Sequence, residues 1–238
     1  MSSTIFIHGA GGSAAHWTPL LSNLSPNLLP FFYELPGHGD REDNISQDIP
    51  SAITDFGCFV KQNNLAQFNL VAHSLGGLIA LQFSLDFPCY VKKMVLISTS
   101  AKIIIHPDFI KQIYSRQLNL EFLTAGFAGK ISEHLKQQVI DDLLRLNFCG
   151  ESEDFMGVTQ CNLSMRLNKI SMPTLILIGE SDRIISPRRS RELGKKIPSS
   201  TIKIISNAAH YPHLENIKIT ASYINEFLDD FYGTNLCV

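Results

Sequence analysis

Three residues in this chain could carry chemistry, and each lies where an apolar run gives way to small and polar residues. Ser74 sits in FNLVAHSLGGLIALQF, residues 68–83, where apolar residues alternate loosely before it and recur at helical spacing after it. Asp182 closes PTLILIGESD, and His210 closes TIKIISNAAH. A serine hydroxyl is a weak nucleophile at neutral pH, so it needs a base, and the base needs an acid to orient it. Serine, aspartate and histidine in this chain order, each just past a strand, suit acyl transfer.

The serine reads as a nucleophile only if its turn is tight. Such a turn strains the backbone, pushes Oγ outward and needs small residues two before and two after, here Ala72 and Gly76. The motif alone is weak, because [GA]-x-S-x-G arises by chance in roughly one chain in six of this length. A serine N-cap on a buried helix is the plain alternative. His210 and His213 both qualify as the base. His210 is preferred because it follows the strand more directly and opens the H-x-P-x-x-E run that ends at Glu215. Glu180 and Asp182 both qualify as the acid. Asp182 reaches further into its loop and is preferred, and the loop after KKMVLIS holds no nearby carboxylate.

A fourth part would be a set of donors for developing negative charge. HGAGGS, residues 8–13, follows the first apolar run, and its glycines let backbone N–H groups approach a substrate oxygen. The N–H groups of Ala10 and of Leu75, the latter opening the helix after the serine, are the expected donors. The loop lacks GK[ST], which argues against a phosphate-binding loop.

Positioning these residues requires an ordered scaffold. Six short apolar runs recur (STIFIHG, LLPFFYELPG, FNLVAHS, KKMVLISTS, PTLILIGES and TIKIISN), with helix-like segments such as IPSAITDFGCFVKQNNL and SPRRSRELGKKI between them. This alternation predicts an α/β fold with a mostly parallel sheet and helices on both faces. It breaks between about 101 and 168, where the pattern turns helical. In SEHLKQQVIDDLLRLN, Leu135, Val139, Leu143 and Leu146 share one face. The expectation is one domain, 1–238, with a helical cap inserted at about 101–168.

Composition narrows the partners. Of 238 residues, 45% are hydrophobic and 18% charged, and the net charge of −2 gives no reason to expect nucleic acid or an anionic membrane. No stretch approaches the roughly 20 apolar residues that span a bilayer, so no membrane insertion is expected. The opening MSSTIFIHGAGG has no basic region and only a short apolar run and does not read as a secretory signal, while the cysteine pattern favours a cytoplasmic protein. Cys58, Cys89, Cys149, Cys161 and Cys237 are scattered, odd in number and without a CxxC pair, a pattern of reduced thiols rather than a disulfide framework or zinc site. His73 and His38 read as packing or hydrogen-bonded turn residues. The run PRRSRELGKK, 187–196, reads as a solvated helix face rather than a docking site for an acidic partner. Phe109, Phe122, Phe127, Phe148 and Phe155 read as packing within the cap rather than as an acyl pocket.

At HGAGG with Trp17 downstream, ELPGHG at 34–39, AHSLGG at 72–77, and the Asp182 and His210 segments, the chain resembles the α/β-hydrolase family over essentially its whole length. Ala72 and Ala209 stand where members often have glycine, and the chain begins almost directly with the strand leading to His8. The resemblance implies Ser74 as nucleophile, His210 as base, Asp182 as acid, and no metal or organic cofactor. A serine argues against haloalkane dehalogenases and epoxide hydrolases, which use aspartate. The short cap and the H-x-P-x-x-E ending resemble serine carboxylesterases, among them the pimeloyl-[acyl-carrier-protein] methyl ester esterases. That subgroup implies a small-molecule ester, with an acyl-carrier-protein-linked acyl chain as the narrower substrate. A C–C hydrolase, a cofactor-free lyase and a slow-turnover ligand receptor share these motifs and stand as alternatives.

Overall fold

The computed structural model describes residues 1–41, 48–104, 107–115, 119, 124–128, 131–145 and 160–229. Phe122, Leu146, Phe148, Cys149, Phe155 and Cys237, and the side chain of Phe109, lie outside the described residues.

Each of the six apolar runs forms a strand: β1 Ser2–Ile7, β2 Leu28–Tyr33, β3 Phe68–His73, β4 Val91–Ile97, β5 Thr174–Gly179 and β6 Ser200–Ile205. They make one sheet in the order β2-β1-β3-β4-β5-β6, and every pairing is parallel. Parallel strands need covering on both faces, and the side chains divide accordingly. Ile5, Ile7, Leu70, Ala72, Met94, Leu96, Ile176 and Ile178 enter one core. Phe6, Val71, Val95, Ile97, Leu175 and Leu177, the alternate residues, enter the other.

Helices supply the cover. α1 is Thr18–Leu21, α2 Ile49–Gln62, α3 Leu75–Asp86, α4 Pro107–Ser115, α5 Glu133–Leu144, α6 Pro187–Lys196, α7 Pro212–Glu215 and α8 Ile217–Leu228. Residues of α2, α3 and α6 line the first core, while Leu20 of α1 and Ala221, Ile224 and Leu228 of α8 line the second. Local chemistry sets where several begin. The Asp48 side chain accepts from Ser51 N at 2.8 Å to cap α2, and Ser132 accepts from Leu135 N to cap α5. Pro187 opens α6, where a missing N–H costs nothing. α6 buries Ser190 and Leu193 and turns most of its basic residues outward.

Strand register matters most for the site. Ile7 pairs with Tyr33 and Ala72, His73 with Ile97, Ile97 with Leu177, and Gly179 with Ile205, so the carboxyl ends fall on one edge. Strand order reverses at β1, which lies between β2 and β3. A crevice for ligand is expected beyond that reversal. Among the described residues no helix is long and apolar enough to cross a membrane. Cys58, Cys89 and Cys161 are free thiols.

Candidate active site

Ser74 occupies the turn from β3 into α3 with φ 49° and ψ −114°. That backbone is strained for a residue with a Cβ, by roughly 1–3 kcal/mol, and holds only because its surroundings over-determine it. Ser74 N donates to Ile97 O at 3.0 Å, and Ser74 O accepts from Thr99 Oγ1 at 2.6 Å and from Gly77 N at 3.0 Å. Gly76 is the sequence feature that permits the turn. A Cβ there would lie 2.5 Å from His8 O and 2.6 Å from Ile7 O, so α3 sits directly on the end of β1.

The other two predicted residues meet the serine. His210 Nε2 lies 3.1 Å from Ser74 Oγ, and His210 Nδ1 lies 3.0 Å from Asp182 Oδ2. A carboxylate only accepts, so Nδ1 carries the proton and Nε2 faces the hydroxyl as an acceptor. Asp182 is fixed in turn, because its Oδ1 accepts from Ile184 N at 2.8 Å and Ile185 N at 2.9 Å. All three residues are buried.

The competing candidates lie elsewhere. Glu180 is exposed, and its N–H belongs to the sheet edge through Ile205 O. His213 is buried against Trp17, with ring centroids 4.6 Å apart, and its Nδ1 has no hydrogen-bond partner. His73 Nε2 donates to His210 O at 2.8 Å, so it braces the His210 backbone. His38 Nδ1 donates to Pro36 O, a turn role. His8 Nδ1 donates to Gly9 O and its Nε2 accepts from Leu35 N. Burial lowers the pKa of His8, His38, His73 and His213, to about 4 for His38, and keeps them neutral.

The loop after β1 runs alongside the serine. A Cβ on Gly9 would come within 3.0 Å of Ser74 Cβ, so the backbone just before Ala10 runs against the serine. Leu75 is the first residue of α3, where helix N–H groups have no intrahelical acceptor.

Three features escaped the sequence. Glu215 Oε1 accepts from Ala209 N at 2.9 Å and Tyr211 N at 3.1 Å, the residues flanking His210, while its Oε2 accepts from Ala128 N at 2.6 Å. Burial raises the Glu215 pKa against these donors. His210 N itself donates to Gly126 O at 2.8 Å. The segment 124–128 therefore packs on the loop carrying His210, with Phe127 stacked on Tyr211 at 4.9 Å. His16 and Asp142 form the third feature, a buried pair whose Nε2–Oδ2 separation is 3.0 Å. Asp142 interrupts an apolar helix face, which was its signal. Among the described residues there is no cluster of His, Cys, Asp and Glu that could hold a metal ion.

A parallel sheet with a strained serine at its switch point, hydrogen-bonded to a histidine that is bonded in turn to an aspartate, both from later strand ends, is the architecture of a hydrolase fold. The chain belongs to the alpha/beta hydrolase family, whose model matches residues 4–221. It is similar to a pimeloyl-[acyl-carrier protein] methyl ester esterase of Neisseria meningitidis, 24% identical over 94% of this chain and 91% of the relative. In fold it matches the enol-lactonase of Burkholderia xenovorans with a TM-score of 0.87 at 18% identity, covering 95% and 91% of the two chains. A meta-cleavage product hydrolase of Pseudomonas fluorescens matches at 0.81 with 17% identity, covering 96% and 90%. The names of these neighbours span different reactions, so the fold is shared more widely than any one substrate.

Proposed function

We propose that this protein is a serine hydrolase of carboxylic esters. The observation that carries the reading is the unbroken hydrogen-bond chain from Ser74 Oγ through His210 to Asp182 at the carboxyl edge of the sheet. Ser74 Oγ attacks the ester carbonyl while His210 Nε2 takes its proton. Asp182 holds the imidazole in the required tautomer and stabilises its charged form. The Ala10 and Leu75 N–H groups receive the developing oxyanion, and losing one such donor typically costs on the order of 3 kcal/mol of barrier. His210 then protonates the leaving alcohol, and water, activated by the same imidazole, hydrolyses the acyl-enzyme.

The stretch about 101–168 is proposed to cap the site, since its residues 126–128 contact the base's loop. The narrower substrate is a methyl ester of an acyl chain on a carrier protein, in line with the name of the Neisseria relative. Hydrolysis of p-nitrophenyl esters from acetate to decanoate, wild type against Ser74→Ala, tests the reading. Turnover should fall by roughly 10⁴-fold or more in the variant. Equal, negligible rates in both proteins would overturn it and move the assignment to the C–C hydrolase, lyase or receptor alternatives.

A further inference from the structure

The insertion meets the loop beside the nucleophile through a buried carboxylate on α5. Asp142 lies on the inward face of α5 with Val139 and Ile140, where an apolar side chain would be the ordinary choice. A buried charge is retained only with partners, and both partners of Asp142 come from the loop after β1. Ser13 Oγ donates to Asp142 Oδ2 at 2.6 Å, and His16 Nε2 lies 3.0 Å from the same oxygen. Burial would raise the Asp142 pKa, but the His16 and Ser13 contacts prevail and hold the carboxyl below its ordinary value.

The same helix presses on the loop a second time. At Gly11, whose φ is 68°, an added Cβ would fall 2.2 Å from Leu143 Cδ1, so Leu143 rests on the bare backbone. His16 carries the contact inward, because a Cβ on Gly12 would come within 3.0 Å of His16 Nδ1. The His16 ring also meets Tyr211, the neighbour of the base, edge-on with centroids 6.5 Å apart. Residues 11, 12, 13 and 16 are thus all held from α5, directly or through His16, and Ala10 is the next residue towards the serine.

We propose that Asp142 is a positioning residue that fixes the loop carrying the Ala10 N–H, so that the insertion sets the oxyanion donor's aim. The proposal rests on the ester-hydrolase reading above. Asp142 does not touch the reacting atoms; it acts through Ser13 and His16. A donor held by a carboxylate clasp keeps its direction while charge develops on the substrate, which is when its alignment counts. Displacements of about 1 Å at such positions are worth on the order of 100-fold in rate.

The test compares Asp142→Ala and Asp142→Asn with wild type on p-nitrophenyl esters, with rates expressed per active site titrated by a fluorophosphonate. Asp142 faces a polar, open cavity of about 320 Å³ shared with Ser13, Glu34 and Asp40, so water can replace the lost carboxylate and the fold should tolerate the change. Asp142→Ala should lower kcat by roughly 10–100-fold with KM within about threefold, and weaken a trifluoromethyl ketone inhibitor in parallel. An ether analogue of the ester, which has no carbonyl to become an oxyanion, should bind as before. Asp142→Asn keeps one oxygen to accept from Ser13 and should lose less. It decides the matter if the alanine variant does not fold. A purely structural role would lower the melting temperature or the titratable fraction and leave kcat per site within about twofold in both variants, and that result overturns the proposal. Ser74→Ala run alongside separates the two failures. Ser74-dependent turnover that stays within about twofold of the wild-type kcat per site in both Asp142 variants sinks this inference alone, whereas absence of Ser74-dependent turnover in wild type removes the underlying reading and the inference with it.

Discussion

Among the described residues, two buried aspartate–histidine pairs have the same 3.0 Å separation, Asp182 with His210 and Asp142 with His16. Each has a serine within reach, yet the order of contacts differs. In the first, the serine meets the histidine and the aspartate lies behind it, so a proton can leave Ser74 for a neutral nitrogen. In the second, Ser13 gives its hydrogen bond straight to the carboxylate. His16 Nε2 faces that carboxylate rather than the Ser13 hydroxyl. Asp182 is also held by the N–H groups of Ile184 and Ile185, whereas the contacts described for Asp142 come from side chains. Residue types do not distinguish the pairs. Connectivity does, and it suits one pair for proton transfer and the other for anchoring.

Between the two aspartates, the larger effect should therefore follow from Asp182→Asn. An asparagine amide facing Nδ1 favours the tautomer with its proton on Nε2, which can no longer accept from Ser74. A fall of roughly 10³–10⁴-fold in kcat on p-nitrophenyl butyrate is expected, with the fold intact by circular dichroism. Set against the 10–100-fold expected at Asp142, this gap is the comparison in numbers. Near-equal losses at the two aspartates would break it.

Much of this geometry was legible in advance. The six apolar runs gave six strands because parallel strands, covered on both faces, must be apolar nearly throughout. Small residues around Ser74 and the positions of Asp182 and His210 after strands pointed to one edge, since parallel strands share their carboxyl ends. α8 went unread although Ile217, Ala221, Ile224 and Leu228 recur at helical spacing. Neither His16 nor Asp142 could be paired from spacing. They are far apart in sequence, and their contact depends on how the insertion seats on the loop after β1. Glu215 was noticed as the end of a run, but its role depends on backbone N–H groups, which leave no trace in residue types.

Acid should act on the buried histidines next. His8, His38, His73 and His213 are buried and held neutral chiefly by desolvation. A histidine whose folded pKa is lowered leaves stability intact above the unfolded value near 6.5. Below it the unfolded chain binds a proton that the folded chain refuses, so stability falls until the folded pKa is reached. For His38, lowered to about 4, the window runs from pH 6.5 to 4 and amounts to roughly 3 kcal/mol. Urea melts across that window should therefore show stability falling as the pH drops. His38→Asn should flatten the slope by about one proton, and an unchanged slope would mean that His38 titrates normally in the folded state.

The smallest effect expected concerns Ser13. Its hydroxyl donates to a carboxylate whose pKa is held low, and such an acceptor is a far weaker base than an imidazole. Its oxygen gains little nucleophilicity, and the strained turn that exposes Ser74 has no counterpart at Ser13, whose φ of −145° is ordinary extended backbone. A fluorophosphonate should therefore label one serine per wild-type chain and none in Ser74→Ala, as read by intact-protein mass spectrometry. Ser13→Ala should still take one label, at a rate reduced only as far as the loop loosens. A label on Ser13 in the Ser74→Ala protein would mean that its proton can be drawn off after all. The difference between the two pairs would then be one of accessibility rather than of connectivity.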